Sequence, residues 1–183
     1  VVMKNQEAIL AFCLDAGAYK AAVLPVEQIP FDNSLRAYCE ANYCGSYKKN
    51  YACPPSVGDP DTVIAKARDY QEALIFQTVG NLEDSFDVEG MEEAGKRHNA
   101  VAEAIRGRIE AEEEQFLQLT AGGCSICPVC AKVEDKPCRF PERAISSLEA
   151  YCMNVSELAG LCKMRYINGQ NTVTYFGMFL LRG

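Results

Sequence analysis

Apolar side chains recur at intervals of three or four residues between positions 88 and 119, whereas most of the intervening side chains are charged. On a helix, this spacing places the apolar side chains on one face and the charged ones on the other. The pattern therefore predicts a long amphipathic helix, which we expect to end at Ala121-Gly122-Gly123. The predicted buried face comprises Met91, Ala94, His98, Val101, Ile105, Ile109 and Phe116.

Shorter helices are predicted on both sides of this one, and two of them have recognisable N-terminal signals. Asp32-Asn33-Ser34 supplies side chains that cap a helix, and Asp59-Pro60 places proline in a first turn, where its missing N–H costs nothing. The predicted shorter helices span residues 4–17, 32–38, 59–70, 142–153 and 156–162.

Short apolar runs predict the strands of a small mixed sheet. Tyr19–Val26 and Ala73–Val79 have the length and composition of strands. Near the C-terminus, residues 164–168 and 172–181 flank Asn168-Gly169, a dipeptide favoured in tight turns, and so predict a β-hairpin. Because strands and helices are interleaved, the predicted fold class is α+β.

Length and composition indicate one globular domain over residues 1–183, with 49% hydrophobic and 23% charged side chains. The 25 acidic and 18 basic side chains give a formal net charge of −7. An acidic surface repels phosphate backbones, and the sequence has no strongly basic patch. We therefore expect no nucleic-acid partner.

The N-terminal segment and the cysteines bear on the compartment. Ala8–Leu14 is apolar, but Glu7 and Asp15 flank it and break the pattern of a signal peptide. No apolar stretch approaches the roughly 20 residues that cross a membrane. We therefore expect a cytoplasmic protein without a membrane partner, in which clustered thiols hold metal more often than they form disulfides.

Seven of the ten cysteines fall into two sets, and the second set is the more diagnostic. Three cysteines at three-residue intervals are typical of loops that hold a [4Fe-4S] cluster, with the fourth thiolate supplied from elsewhere. Structural zinc sites usually present cysteines as separated pairs. The spacing favours an iron–sulfur cluster, and zinc or structural thiols remain alternatives. The predicted ligands are Cys124, Cys127, Cys130 and Cys138.

The first set is Cys39, Cys44 and Cys53, which offers three ligands for a second metal or cluster site. A three-ligand site leaves two possibilities open. Another residue supplies the fourth ligand, or one iron stays open and binds a small substrate as a Lewis acid. Structural thiols are the third interpretation. The candidate fourth ligands are Cys13, Cys152, Cys162, Cys138 and His98.

A combination of short motifs also resembles a known family. The motifs are Cys39-x4-Cys44-Gly45, residues 51–58 (YACPPSVG), Cys124-x2-Cys127-x2-Cys130, residues 137–141 (PCRFP) and residues 173–177 (VTYFG). With them, the chain from about Arg36 to its C-terminus resembles the bacterial and archaeal "predicted metal-binding" proteins, a domain of unknown function. The resemblance implies metal sites built from the seven cysteines and an anaerobic setting, but no particular reaction. Relatives usually carry glycine at the position of Cys152, which weighs against Cys152 as a family ligand.

Arg139 follows a predicted ligand directly and is the candidate cofactor-binding side chain. Its guanidinium can neutralise a thiolate-ligated cluster or hold an anionic substrate. The alternative is an ion pair with Glu134 or Glu142. His98, the single histidine, lies on the apolar face of the long predicted helix, where a core role is more common than ligation.

Three functions follow from these expectations. The first is electron transfer by an iron–sulfur protein with a redox partner protein. The second is an enzyme in which an open iron binds a small-molecule substrate. The third is a zinc-stabilised interaction module. The first two differ in whether the first site has a fourth protein ligand.

Overall fold

Two ten-residue strands form the centre of the sheet. The computed structural model describes residues 5–112 and 115–182. Within it, β2 (Glu72–Asn81) and β5 (Thr172–Leu181) pair antiparallel along their whole length. Residues 73–78 and 176–181 are buried. Both segments read as continuous apolar runs because helices cover both faces of the sheet.

Three shorter strands complete a mixed sheet. β1 (Lys20–Pro25) pairs antiparallel with β2, and β3 (Phe116–Thr120) pairs antiparallel with β5. β4 (Ser146–Ser147) lies parallel to β3. The strand order is therefore β1-β2-β5-β3-β4, and the predicted α+β fold class with a mixed sheet is confirmed.

The longer helices begin at side-chain caps. Asn5, Asp59, Asp87 and Asn154 each accept a hydrogen bond from a first-turn backbone N–H, which satisfies a donor that the helix itself leaves free. A 3₁₀ turn whose cap is Asp32 precedes the second helix. The helices are α1 (Gln6–Asp15), α2 (Arg36–Glu40), α3 (Pro60–Arg68), α4 (Val88–Glu110) and α5 (Val155–Leu161).

Alternation along β2 and β5 creates two apolar layers, because successive side chains point to opposite faces of a strand. Leu74, Phe76 and Phe179 pack with apolar side chains of α1 and α4. Ile75 and Met178 pack on the other side with those of α3 and α5. The predicted buried face of the long helix is confirmed from Ala94 to Ile109, with Met91 only partly buried.

The long helix is shorter than predicted. It ends at Glu110, and Phe116–Thr120 forms strand β3 instead of the last helical turns. Pairing of Phe116 with Leu181 and of Leu119 with Met178 supplies backbone hydrogen bonds to this segment. Sheet pairing therefore overrides the helical periodicity, and the predicted stop at Gly122-Gly123 follows β3 rather than the helix.

Two other predicted elements are wrong. The helix expected over 142–153 is absent, and this stretch contains β4 and a 3₁₀ turn at Glu149–Tyr151 instead. The Ala150 N–H donates to the Ser147 hydroxyl, which supports the 3₁₀ turn. The C-terminal hairpin is also wrong, since residues 164–168 form no strand and β5 pairs with β2 and β3. Residue 4, the first of the predicted N-terminal helix, lies outside the described residues.

Across residues 5–112 and 115–182, no helix combines the length and apolar character needed to cross a membrane.

Candidate metal centre

The first cysteine set lies where α2 passes into a series of turns. Cys39 is on the last turn of α2, Cys44 is exposed in the turns that follow, and Cys53 is buried. The Asn50 side chain fixes the turn before Cys53, since its Oδ1 accepts a hydrogen bond from Ala52 N at 2.9 Å. Polar side chains and backbone turns, rather than a helix or strand, therefore position these thiols.

The second set lies on an irregular segment between β3 and β4. After Cys130 the chain makes a 3₁₀ turn at Ala131–Glu134 and then reverses at Asp135, which has a left-handed backbone with φ 53°. The Lys136 N–H donates to Ala131 O at 3.1 Å and closes this reversal. The reversal returns the chain towards the first three cysteines at Cys138.

All four cysteines of the second set line one small cavity of about 20 Å³. Each of the four is partly buried, and none forms a disulfide. Ile126, Ala131 and Phe140 contribute apolar walls, and Asn50 and Tyr51 reach the cavity from the first segment. The four thiols named by the sequence spacing, Cys124, Cys127, Cys130 and Cys138, therefore share a common space.

Two hydrogen bonds join the two cysteine segments. Asn50 Nδ2 donates to Cys124 O at 3.0 Å, and the Tyr51 hydroxyl donates to Lys136 O at 2.8 Å. The Lys132 ammonium also lies over the Tyr51 ring, 5.3 Å from its centre. The side chains of Asn50 and Tyr51 in the first segment therefore hold the backbone of the second segment in place.

The thiol of Cys53 lies at the junction of the two sets. Burial first, and then the charges of the neighbouring thiols of Cys44, Cys39, Cys124 and Cys130 in that order, raise its pKa to about 11. A Cβ atom on Gly123 would lie 3.4 Å from Cys53 Sγ, so the backbone approaches this thiol closely. The seven cysteines thus belong to one region of the molecule rather than to two remote ones.

The donors in this region suit a thiophilic metal. Iron–sulfur clusters and structural zinc are both held by cysteine thiolates, and four thiols around one cavity offer a complete set. Across residues 5–112 and 115–182, however, no three His, Cys, Asp or Glu side chains are arranged closely enough to hold a metal ion. The thiols of the second set share a cavity without converging on one point, so ligand binding requires them to move together.

Arg139 lies at the rim of the cysteine cavity. Its Nη1 donates to Val129 O at 3.0 Å, and its Nη2 lies 4.0 Å from the Glu134 carboxylate. The expected contact with Glu134 is therefore present, though long and exposed. The same guanidinium spans the loop between Cys127 and Cys138, where it lends positive charge to the cavity.

His98 is a core side chain. It is 1% exposed, its Nδ1 lies 2.8 Å from the Thr78 hydroxyl, and its ring stacks on Phe76 at 5.4 Å. Burial lowers its pKa from 6.5 to about 4. Cys13 is buried in the same apolar layer of α1 and α4, where burial raises its pKa to about 12. Both packing environments are apolar, as expected for core groups.

Cys152 occupies an unusual backbone position. It is fully buried and has φ 57°, in the left-handed region that glycine adopts at little cost. This conformation explains in physical terms why the resemblance implies glycine at this position. Cys162, the last candidate, is partly buried against the apolar layer of α3 and α5, and burial raises its pKa to about 11.

Three side chains of this region were not among the candidate site residues of the sequence analysis. Asn50 and Tyr51 join the two cysteine segments, and Arg36 is buried at the start of α2. Tyr51 belongs to a motif that carries the resemblance, which is a signal of its importance. Asn50 and Arg36 have no such signal, because their partners are backbone carbonyls distant in sequence.

The model of one protein family matches this chain over residues 22–181. The family is described as predicted metal-binding protein (DUF2284). The match includes both cysteine sets and extends beyond the motifs that suggested the resemblance. No curated protein and no solved structure matches the chain.

Proposed function

This chain belongs to the family of predicted metal-binding proteins, and we propose that it is an iron–sulfur protein that transfers electrons in an anaerobic redox system. One [4Fe-4S] cluster is held by Cys124, Cys127, Cys130 and Cys138. The observation that carries this proposal is the single cavity that all four side chains line. A second metal or cluster site is held by Cys39, Cys44 and Cys53.

An iron–sulfur cluster fits the second set better than zinc does. Three of its cysteines are three residues apart, whereas structural zinc sites favour two separated pairs. Hydrogen-bond donors and positive charge near a cluster tune its potential, and Arg139 at the rim supplies both. When bound, such a cluster takes up and releases single electrons.

The contact between the two cysteine sets supports electron transfer. The thiol of Cys53 is close enough to Cys124 and Cys130 for their charges to raise its pKa, after the larger effect of burial. Two redox centres held by these thiols would lie close enough to exchange electrons. The protein part of this path is the joint made by Asn50 and Tyr51, which holds the two segments together.

Exposed apolar side chains around the cavity support a protein partner. Val129, Val133 and Phe140 are 49–57% exposed, and Ile126 is 38% exposed. Apolar patches of this kind, with charges at their rim, are typical of surfaces that bind proteins transiently. We therefore propose a redox partner protein that docks on this face, and a small-molecule substrate is the alternative. The cytoplasm is the proposed compartment.

Metal and sulfide analysis of anaerobically purified protein tests the proposal. Iron, acid-labile sulfide and zinc are quantified per chain beside the absorption spectrum. About eight irons and eight sulfides would support two [4Fe-4S] clusters, and about four of each would support one. One or two zinc ions without sulfide would overturn the proposal and favour the zinc-stabilised interaction module.

A further inference from the structure

A buried arginine without a carboxylate partner lies beside the first cysteine set. Arg36 is 7% exposed. Its Nη1 donates to Gly58 O at 2.6 Å and its Nη2 to Ala150 O at 2.9 Å, whereas its Nε has no partner. Among residues 5–112 and 115–182, no carboxylate forms an ion pair with it.

A buried positive charge needs a buried negative charge nearby, because carbonyl dipoles replace only part of its lost hydration. The buried groups near this guanidinium are the thiols of Cys152 and Cys39, on whose pKa values its charge acts. The exposed Asp59 carboxylate also lies near it, and Arg36 adds a small part to the lowering of the Asp59 pKa that the hydrogen bonds to Thr62 cause. The positive charge of the nearby Arg36 side chain partly offsets the rise in the Cys152 pKa that burial causes. Cys39 follows Arg36 by three residues on α2, so both side chains lie on the same side of that helix.

Cys152 itself is close to the first set. Arg36, three residues before Cys39 on α2, donates to Ala150 O at 2.9 Å, and Asp32 N donates to Cys152 O at 2.8 Å, so the start of α2 packs on the segment that carries Cys152. The charge of Cys152 accordingly acts on the pKa of Cys39, after burial, Arg36 and Cys44.

Of the five candidate fourth ligands, Cys13 and His98 are buried between α1, α4 and the sheet, and Cys138 lines the cavity of the second set. Cys162 lies at the C-terminal end of α5 and is not among the groups whose charges act on Cys39 or Cys53. Cys152 is the candidate that adjoins Cys39.

The backbone at Cys152 is held in place from both sides. Its N–H donates to Glu149 O at 2.9 Å, and its carbonyl accepts from Asp32 N at 2.8 Å. A cysteine in this left-handed conformation carries a backbone cost that glycine avoids. A side chain retained at such a position is expected to provide something that glycine does not, and here it provides a buried thiol facing Arg36.

We propose that Cys152 is the fourth thiolate of the first site, with Cys39, Cys44 and Cys53, and that Arg36 is the buried counter-charge of this site. The inference rests on the proposed function, and it replaces the open iron with a closed, four-thiolate site. In this chain the first site would then serve electron transfer rather than substrate binding. Arg36 acts as a positioning residue, since it touches a ligand and not a substrate.

Cys152→Gly is the sharpest test, because glycine suits the backbone at this position and the fold is expected to persist. We expect this variant to lose the iron and sulfide of the first site and to keep those of the second. Cys162→Ala is the control, since Cys162 is another cysteine with a partly buried side chain that lies outside both sets, whereas Cys152 is fully buried. Circular dichroism of both variants checks that the sheet and helices remain.

Arg36→Gln tests the counter-charge, and Arg36→Lys is its conservative partner. Loss of a side chain that supports a ligand typically weakens metal binding roughly 10–100-fold, so we expect Arg36→Gln to release the first site's metal faster to a chelator. Any metal that stays should have a more negative reduction potential, because a nearby positive charge favours the reduced cluster. We expect Arg36→Lys to restore much of the potential, which a purely structural role would not require.

The outcomes separate this inference from the proposed function. Full iron and an unchanged electron paramagnetic resonance (EPR) spectrum in Cys152→Gly would overturn the inference and leave the second cluster standing. The inference would also be overturned if the wild type carried a single cluster that Cys127→Ala removes and Cys152→Gly leaves in place. Absence of iron and sulfide from the wild-type protein would overturn the proposed function itself.

Discussion

The sheet and the cysteine segments are ordered by different means. In the sheet, β2 and β5 pair over ten residues, and Leu74, Ile75 and Phe76 are fully buried. In the cysteine segments the backbone follows turns, with a left-handed residue at Lys48 and at Asp135, and two side-chain hydrogen bonds join the segments. Apolar burial stabilises the first region, whereas the second has few apolar side chains to bury. We therefore expect the sheet to be stable without metal, and the cysteine segments to gain stability when metal binds.

The largest expected effect comes from removing a ligand of the second set. Cys127→Ala should lose the iron of this cluster and much of the soluble yield, because the remaining thiols no longer complete the site. Cys162→Ala should lose neither. The measurement is iron per chain and soluble yield for both variants, purified side by side. Equal losses in the two variants would contradict the division into ligands and other cysteines.

A core substitution should affect the opposite region. Phe179 is fully buried and packs against Phe76 and Phe116, so Phe179→Ala should lower the free energy of unfolding by about 3–5 kcal/mol. The iron content per folded chain should stay unchanged. Iron is quantified on the folded protein, and the free energy of unfolding is measured by denaturant titration of the same preparation. Phe86→Ala is the control, since Phe86 is 87% exposed, and its effect should stay within about 0.5 kcal/mol.

His98 makes the sheet region sensitive to acid. Burial lowers its pKa from 6.5 to about 4, so the unfolded chain takes up a proton at higher pH than the folded one. The folded state therefore has its full stability above pH 6.5, where His98 is neutral in both states. The free energy of unfolding falls as the pH drops towards 4, and this loss is about 2 kcal/mol at pH 5. Unfolding curves of wild type and His98→Gln should therefore differ in pH dependence between these values. Parallel pH profiles would contradict a buried neutral histidine.

The smallest effect is expected at the joint between the cysteine segments. Tyr51→Phe removes the hydroxyl that donates to Lys136 O, at a cost of about 1 kcal/mol for one hydrogen bond. Hydrogen exchange should become faster at backbone amides of the second segment and stay the same in β2 and β5. Tyr43→Phe is the matched control, because Tyr43 is 90% exposed. Faster exchange across the whole sheet would show that the two regions are not independent.

The sequence predicted the elements whose pattern is local. Ala94, His98, Val101, Ile105 and Ile109 form the buried face of α4 because their spacing follows the helical period. The end of this helix was not predictable in the same way. Phe116–Thr120 becomes a strand through pairing with Leu181 and Met178, more than 50 positions away in the sequence. The absent hairpin has the same cause, since β5 pairs with distant strands.

The candidate site shows the same division. Spacing alone grouped the four cysteines of the second set, and they line one cavity. The approach of Cys53 to Cys124 and Cys130 depends on Asn50 and on turns with left-handed residues, which carry no periodic signal. Arg36 was missed because its partners are the carbonyls of Gly58 and Ala150, distant in sequence and without a motif.

The EPR spectrum of anaerobically purified, dithionite-reduced protein tests the central claim most directly. Two adjacent iron–sulfur centres predict a spectrum broadened by magnetic coupling, and Cys44→Ala should simplify it to that of one isolated reduced [4Fe-4S] cluster. A colourless protein that holds zinc and gives no EPR signal on reduction would contradict the claim.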